Sequence, residues 1–280
     1  MIQAASNAMT IDVEDYFQVS AFEKLVSKDR WDSMELRVGR NTERLLDLFA
    51  EKNIKATFFI LGWVANKLPM LIKKIAEQGH EVASHGMHHQ RVTDLSCGQF
   101  KVDLSESKKM LEDLTGGHVL GYRAPSFSFN NDNPWVYETL GEVGYRYSSS
   151  VYPVVHDHYG IPNAPRHRYD GGFGVEEIPL STLPIMKKNI PISGGGYFRL
   201  YPYRLTRWAI NRMLAGEKIP YIFYLHPWEI DPEQPTMPGI SLKTRFRHYI
   251  NLSLTERKLT KLLDDYQWDS VASVFKIGER

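Results

Sequence analysis

The sequence has little cysteine, little net charge and no long apolar run. Cys97 is the only cysteine among 280 residues, so an internal disulfide is excluded and a reducing compartment is permitted. The formal net charge of +1 gives no reason to expect nucleic acid or an anionic membrane as a partner. No apolar run approaches the roughly 18 residues that a transmembrane segment needs, so the sequence predicts no membrane span.

The N-terminal segment also lacks a secretory signal. Residues 1–9 contain no basic region followed by an apolar core, so we expect a cytoplasmic protein, although a trimmed secreted chain would show the same pattern. No repeat or linker divides the chain, and 280 residues of which 42% are hydrophobic suffice for one large domain. The composition is compatible with a homo-oligomer.

Strand patterns and helix patterns alternate along the chain. The predicted strands are residues 9–13, 55–61, 81–84, 119–123, 145–149, 221–225 and 270–275. The predicted helices are one capped by Asn41 or Thr42 and residues 63–78, 94–115, 134–143, 203–214 and 255–266. Residues 152–192, rich in proline and aromatic side chains, predict short strands and long loops. The alternation indicates a parallel sheet, and the length allows its closure into a barrel.

His85 and His89 give the clearest metal-binding signal. Imidazoles at positions i and i+4 offer two nitrogens to one divalent ion. His88 allows a second pairing with His85, so spacing alone does not fix the ligands. Gly86 follows His85 where a zincin motif would need a glutamate, so that class of metalloprotease is excluded.

Polar side chains also stand at the ends of other predicted strands. Asp12, Glu14 and Asp15 end the first strand, and neighbouring carboxylates in a closed site need a cation or a shared proton to relieve their repulsion. Arg123 ends the fourth strand, and His226 ends the strand at 221–225. Catalytic groups of α/β barrels gather where strands end, so these residues predict one site.

The order of these motifs resembles a known family. Thr10-Ile11-Asp12, residues 85–89, Arg123-Ala124-Pro125 and Leu225-His226 are similar to the successive motifs of the NodB-type polysaccharide deacetylases, carbohydrate esterase family four. The resemblance spans residues 9 to about 229 and is strongest to the branch found with bacterial exopolysaccharide loci. It implies an α/β fold, a distorted (β/α) barrel with about seven parallel strands. A single domain would cover residues 1–280, with 230–280 as a C-terminal extension packed on it.

The resemblance also implies catalytic roles for three residues. Asp12 stands where the family has its catalytic base, Arg123 where it has the arginine that pairs with the base, and His226 where it has the proposed general acid. Ser148 falls where relatives carry an acidic residue that orients this histidine. Asp157 and Asp170 are candidates to replace that acid.

The resemblance further implies a divalent metal held by His85, His89 and one carboxylate. Many relatives place the ligating aspartate directly after the base, where this chain has Val13. Glu14 is the favoured third ligand because it shares a strand face with Asp12, and Asp15 is the alternative. The implied metal is Zn²⁺, with Co²⁺ or Ni²⁺ as alternatives.

The function that the resemblance implies is metal-dependent removal of N-acetyl groups from a sugar of a bacterial exopolysaccharide or its precursor. Alternatives are an amidohydrolase of the same fold that acts on a ureide-like small amide, and a non-catalytic glycan-binding relative. The expected partner is an N-acetylated glycan or glycan precursor, and the expected substrate-binding residues are Pro125, Ser126, Phe127, Tyr197 and Trp228. Residues 194–199, which begin with three consecutive glycines, predict a mobile lip or an ordinary turn.

Overall fold

Strands and helices alternate along the first half of the chain. The computed structural model describes residues 6–157, 159–186 and 188–278, so residues 1–5 of the segment considered for a secretory signal lie outside it. The first ten elements are β1 (Asn7–Val13), α1 (Val38–Glu51), β2 (Thr57–Ile60), α2 (Gly62–Lys67), α3 (Pro69–Glu77), β3 (Glu81–Ser84), α4 (Cys97–Thr115), β4 (Gly121–Tyr122), α5 (Val136–Val143) and β5 (Tyr147–Ser148).

The second half is less regular and ends in helices. Its elements are β6 (Tyr169–Gly172), β7 (Val175–Glu177), β8 (Thr182–Ile185), β9 (Lys188–Pro191), α6 (Gly195–Leu200), α7 (Tyr203–Glu217), β10 (Ile222–Leu225), α8 (Leu242–Tyr249), α9 (Leu252–Asp265), β11 (Trp268–Asp269) and α10 (Val271–Phe275). None of the helices in the described residues is long and apolar enough to cross a bilayer. The short strands β6 to β9 confirm the short strands predicted within residues 152–192.

A curled sheet of mostly parallel strands organises the fold. Its order is β10-β1-β2-β3-β4-β5-β7-β6, and β11 pairs with the first two residues of β1. The seven strands from β10 to β7 run parallel, and only β6 is antiparallel to its neighbour. The predicted α/β barrel-type fold with about seven parallel strands is therefore confirmed, as an incomplete barrel with β10 and β6 at its edges.

β1 lies between β10 and β2 in the sheet and is buried along its whole length. A strand covered on both faces carries apolar residues on both, here Ile11 and Val13 on one side and Ala8 on the other. Helix α1 packs its apolar stripe, Leu45 and Phe49, into the same core. The polar residues at the end of β1 are thereby held in a rigid, dry setting.

Two predicted helix boundaries were wrong. The helix predicted at 63–78 is interrupted at Leu68, whose backbone (φ −130°, ψ 57°) is not helical because it precedes Pro69. Neither Asn41 nor Thr42 caps α1, which begins at Val38. Asp15 instead accepts hydrogen bonds from the backbone N–H groups of Arg37 (2.7 Å) and Val38 (2.8 Å), so the cap comes from a distant part of the chain.

The end of the chain also differs from the prediction. Residues 270–275 form no strand, because the Ser270 side chain accepts a hydrogen bond from Ser273 N–H and starts helix α10. The last strand is β11, and helix α8 was not predicted. Short apolar runs fit a strand and a buried helix equally well, which is why the sequence pattern failed here.

Candidate active site

The parallel strands end at the same level, so the residues that follow them lie close together. Val13 pairs with Ile60, Ile60 with Ser84, and Ser84 with Tyr122. The next residues of β1, β3 and β4 are therefore Glu14, His85 and Arg123, side by side at the carboxyl edge. On the other side of β1, Ile11 pairs with Leu225, which places His226 next to Asp12. Residues from four separate strands thus meet at one edge.

Glu14, His85 and His89 form the candidate metal site. One ligand atom from each lies within 4.8 Å of the others, and Glu14 Oε2 lies 2.5 Å from His89 Nε2 and 4.0 Å from His85 Nε2. Glu14 and His85 are both 2% exposed, and Glu14 Oε2, despite its short contact with His89 Nε2, has no well-aligned hydrogen-bond donor in the described part of the chain. A buried carboxylate oxygen with two imidazole nitrogens around it fits a divalent cation.

The hydrogen bond on the far side of His85 also suits a metal ligand. His85 Nδ1 lies 2.8 Å from the carbonyl oxygen of Arg123, so Nδ1 carries the proton and donates it. Burial lowers the pKa of His85 to about 4, which keeps the ring neutral. The lone pair of Nε2 then faces Glu14 and is available for an ion.

The alternative ligands point elsewhere. Asp15 uses Oδ2 to cap α1 and Oδ1 to accept the backbone N–H of Tyr16. Its carboxylate is therefore a structural cap, and Glu14 is the better candidate for the third ligand. His88 is exposed, and it is not part of the Glu14–His85–His89 group.

Asp12 and Arg123 form a buried ion pair beside this group. Arg123 Nη1 donates to Asp12 Oδ1 at 2.6 Å, and Arg123 and Asp12 are 0% and 1% exposed. The remaining donors of Arg123 bind Ser149, through its carbonyl (3.0 Å) and hydroxyl (2.9 Å) oxygens, and the hydroxyl of Thr10 (2.8 Å). Phe59 covers the guanidinium at 4.1 Å. The cation is thus fixed, and it fixes Asp12.

His226 lies on the other side of the two carboxylates. Its Nε2 is 3.4 Å from Glu14 Oε1 and 4.0 Å from Asp12 Oδ2, while its Nδ1 is 2.8 Å from Glu229 Oε1. Burial alone would lower the pKa of His226, but the negative charges of Glu14 and Glu229 outweigh it and raise that pKa to about 9. The imidazole is therefore held as a cation with a proton facing the site.

Glu229 supplies the acidic partner of His226 that sequence reasoning did not find. It is 1% exposed and also accepts Arg199 Nε at 2.7 Å. Burial would raise the pKa of Glu229, but Arg199 and His226 lower it to about 2, so the group stays ionised. Glu229 follows His226 by three residues in one short turn, Pro227–Ile230, and that spacing was the available signal.

The candidates named for this role lie elsewhere. Ser148 Oγ donates to Ser150 Oγ, exposed Asp157 pairs with Lys243, and Asp170 accepts the N–H of Gly172. The prediction that Asp157 or Asp170 substitutes for the missing acid was therefore wrong.

The three glycines at 194–196 are neither a lip nor an ordinary turn. They begin helix α6, which carries Arg199 towards Glu229. A Cβ on Gly195 would overlap the carboxylate of Glu229, and one on Gly194, at φ 94°, would overlap the Tyr224 ring. The glycines permit the close approach on which the Arg199–Glu229 contact depends.

The predicted substrate-binding residues divide into two groups. Ser126 (φ 56°) and Phe127 (φ 49°) form a left-handed turn after Pro125. Because Phe127 N–H donates to Ala124 O at 3.0 Å, Ser126 N–H is the candidate oxyanion donor.

The two aromatic residues predicted to bind substrate differ in their surroundings. Tyr197 is half-buried. Trp228 differs from expectation, because it is 5% exposed and its ring stacks on His226 (5.2 Å). We assign it to packing under the histidine.

Two family profiles match separate segments of the chain. Residues 30–147 match the profile of the family described as polysaccharide deacetylase. This segment, 118 of the 280 residues, is therefore similar to a polysaccharide deacetylase domain. Residues 149–276 match a second profile, a domain of unknown function termed DUF3473. The boundary between the two profiles falls within β5, so both matched segments contribute strands to the deacetylase sheet, and the DUF3473 segment supplies His226 and Glu229.

Individual relatives match only part of the chain. A peptidoglycan-N-acetylglucosamine deacetylase of Bacillus cereus is 30% identical over 105 residues, which is 38% of this chain and 47% of that protein. A peptidoglycan deacetylase of Helicobacter pylori is 33% identical over 108 residues, 39% of this chain and 36% of that protein. The chain thus matches less than half the length of these curated relatives.

Solved structures share the fold over the full chain. A Mycobacterium smegmatis protein, provisionally described as a polysaccharide deacetylase, has a TM-score of 0.63 at 20% identity and covers 99% of this chain and 91% of its own. A pseudoenzyme of carbohydrate esterase family 4 from Bacillus anthracis has a TM-score of 0.50 at 15% identity, with 98% and 66% covered. At these identities the likeness establishes the deacetylase fold alone.

The glycine contacts predict unequal effects of two neighbouring substitutions. Gly195→Ala should lower the free energy of unfolding by about 1–3 kcal/mol, because the new Cβ displaces Glu229. Gly196→Ala meets no atom within 4 Å and should leave it unchanged or raise it by up to about 1 kcal/mol. Urea unfolding of the two variants measures the difference, and equal stabilities would contradict the assigned packing.

The Glu229–His226 hydrogen bond predicts a selective loss of turnover. Glu229→Gln keeps the shape of the side chain but removes the negative charge that orients His226 and favours its protonated form. We therefore expect kcat to fall about 10- to 100-fold with little change in KM. This loss is smaller than the 10²- to 10⁴-fold contribution of a general acid. Exposed Glu233→Gln is the control and should retain kcat. A wild-type kcat in Glu229→Gln would show that this carboxylate does not act on the histidine.

Proposed function

We propose that this protein is a metal-dependent deacetylase that hydrolyses the N-acetyl group of an amino sugar in a glycan. The observation that supports this most directly is the convergence of Asp12, Glu14, His85 and His226, with contacts of 4.0 Å or less linking Glu14 to each of the two histidines and His226 to Asp12. One side chain in this set suits proton removal, one suits proton donation, and the others suit a cation.

Glu14, His85 and His89 would hold the divalent metal, with Zn²⁺ as the first candidate and Co²⁺ or Ni²⁺ as alternatives. The orphaned Glu14 Oε2 and the tautomer of His85 support this donor set. The metal would polarise the amide carbonyl and lower the pKa of a coordinated water towards about 7.

Asp12 would act as the general base. Its Oδ1 is held by Arg123, and its Oδ2 lies 4.0 Å from His226 Nε2, so the carboxylate faces the centre of the site. The fixed guanidinium orients Asp12, and the carboxylate then removes a proton from the attacking water. The buried pair therefore orients the base.

His226 would act as the general acid, and Ser126 N–H would stabilise the developing oxyanion. Glu229, bonded to His226 Nδ1 at 2.8 Å, favours the protonated imidazole, which can then give the Nε2 proton to the departing amine. The left-handed turn at Ser126 is a strained conformation, and such turns recur where a backbone N–H must point into a site. The products would be a free amino sugar and acetate.

An N-acetylated exopolysaccharide or its precursor is the substrate we propose. The named deacetylases of B. cereus and H. pylori act on peptidoglycan, which contains N-acetylated amino sugars, and this similarity supports a glycan over a small ureide-like amide. The rival proposal is a non-catalytic role, because a pseudoenzyme of B. anthracis shares this fold. The cytoplasmic location expected from the sequence stays a prediction.

The proposed metal site predicts which histidines matter for metal affinity. His85→Ala and His89→Ala should each weaken Zn²⁺ binding by more than about 100-fold, because even outer-shell partners contribute 10- to 100-fold. His88→Ala is the matched control, since His88 is exposed and outside the group. Equilibrium dialysis with Zn²⁺ measures the affinities, and a loss for His88→Ala equal to the others would refute the ligand set.

The proposed base predicts loss of turnover without loss of metal. Asp12→Asn should lower acetate release from an N-acetylated oligosaccharide by about 10² to 10⁴-fold while the bound Zn²⁺ remains at wild-type level. The assay follows acetate and metal content on the same preparations. Wild-type acetate release from the Asn variant would exclude Asp12 as the base.

A further inference from the structure

The loop at residues 85–89 carries two of the three proposed metal ligands, so its backbone geometry sets where His89 lies relative to His85. Two of its residues have left-handed backbone, Gly86 (φ 75°) and His89 (φ 50°). Glycine adopts that conformation freely, but for a histidine it is uncommon and strained. A strained residue keeps its conformation only where the surrounding structure holds it. Contacts outside the loop must therefore fix His89.

Helix α2 holds the carbonyl side of this loop. The N–H groups of Gly62 and Trp63, in the first turn of α2, donate to the carbonyl oxygens of Gly86 (2.8 Å) and Met87 (2.9 Å). The first N–H groups of a helix have no partner within the helix, so they are free for this role. A Cβ on Gly62 would overlap Met87 Sδ, so a glycine is needed for the close approach.

Asp103 of α4 holds the N–H side of the loop. Its carboxylate accepts the N–H of Met87 with both oxygens, Oδ1 at 3.0 Å and Oδ2 at 3.1 Å, and it also receives a backbone hydrogen bond from His88. Hydrogen bonds to an ionised acceptor are roughly twice as strong as neutral ones. A Cβ on Gly86 would lie 2.9 Å from Asp103 Oδ2, so this contact also depends on a glycine.

A second residue of α4 supports the start of the loop. Ser107 lies one helical turn after Asp103 and therefore on the same face of α4. Its hydroxyl is 2.9 Å from that of Ser84, and the Ser84 hydroxyl accepts the N–H of Gly86 at 3.2 Å. The face of α4 that contacts the loop thus contains one carboxylate, and that carboxylate binds the loop directly.

These contacts bear on the proposed ligand His89. Met87 and His88 lie between the two ligand histidines, and Met87 is held through its carbonyl by α2 and through its N–H by Asp103. With Met87 fixed from both sides, the chain reaches His89 in one conformation, which puts His89 Nε2 2.5 Å from Glu14 Oε2. Removal of one side would let the loop relax and move that nitrogen away from the ion.

We propose that Asp103 is a positioning residue, which holds the loop at residues 85–89 in the geometry that presents His89 to the metal beside Glu14. It acts through the backbone N–H of Met87 and is not one of the three proposed ligands. The proposal rests on the proposed function for the identity of the ion. Metal affinity therefore depends on a helix that supplies no ligand.

Zn²⁺ affinity, measured by equilibrium dialysis, gives the first test. Asp103→Ala should weaken Zn²⁺ binding by about 10- to 100-fold, the loss typical of an outer-shell partner. Asp103→Asn keeps one acceptor oxygen and should recover part of that loss.

Two matched controls on α4 separate this role from a loss of charge or of stability. Glu106→Ala removes an exposed carboxylate three residues further along the helix, and Leu104→Ala removes a fully buried apolar side chain. Both variants should bind Zn²⁺ as the wild type does, because neither removes a hydrogen bond to the loop. Circular dichroism checks that each variant is folded.

Hydrogen exchange of the metal-free proteins gives a readout that does not depend on the ion. The Met87 amide should exchange about tenfold faster in Asp103→Ala than in the wild type, because it loses its acceptor. The same amide should exchange at the wild-type rate in Glu106→Ala.

The two measurements distinguish failure of this proposal from failure of the proposed function. A wild type that binds no Zn²⁺ would contradict the metal-dependent function. Faster Met87 exchange in Asp103→Ala would then still support the positioning role, and unchanged exchange would overturn it. If the wild type binds Zn²⁺, wild-type affinity in Asp103→Ala, or a loss no larger than that of Leu104→Ala, would overturn the role of Asp103 and leave the function standing.

Discussion

The parallel strands of the sheet end at the same level, and the candidate site depends on this constraint. The pairing of β10, β1, β2, β3 and β4 places the residue after each strand at one edge, and at four of these positions the residue is ionisable. Burial of these groups is costly unless each finds a partner. Arg123 therefore pairs with Asp12, and loss of one member of a buried pair typically costs about 3–5 kcal/mol. The unsatisfied oxygen of Glu14 is the exception, and it lies where a cation would satisfy it.

A second set of contacts positions His226, the proposed general acid. Glu229 holds His226, Arg199 holds Glu229, and the other nitrogens of Arg199 bind backbone carbonyls at 247, 248 and 250 at the end of α8. Arg199 therefore connects the C-terminal part of the chain to His226, and the His248 ring adds a second contact by stacking on Trp228. Gly195 makes the connection sterically feasible, because any side chain there would occupy the place of the Glu229 carboxylate.

Much of the site could be predicted because its residues sit in short local motifs at strand ends. Alternation along β1 was enough to favour Glu14 over Asp15. Contacts between distant segments were beyond this reasoning: Asp15 caps α1, and Arg199 reaches Glu229 across thirty residues. The fold was predicted where strands and helices were long and periodic. It was missed at residues 270–275, where a serine cap outweighed an apolar run.

Anomalous diffraction from crystals of the Zn²⁺-loaded protein tests the central claim most directly. The account predicts a single strong zinc peak bounded by Glu14 and the Nε2 atoms of His85 and His89, with Zn–N distances of about 2.0–2.1 Å. A peak coordinated by His88 or Asp15, or one remote from Asp12 and His226, would contradict it.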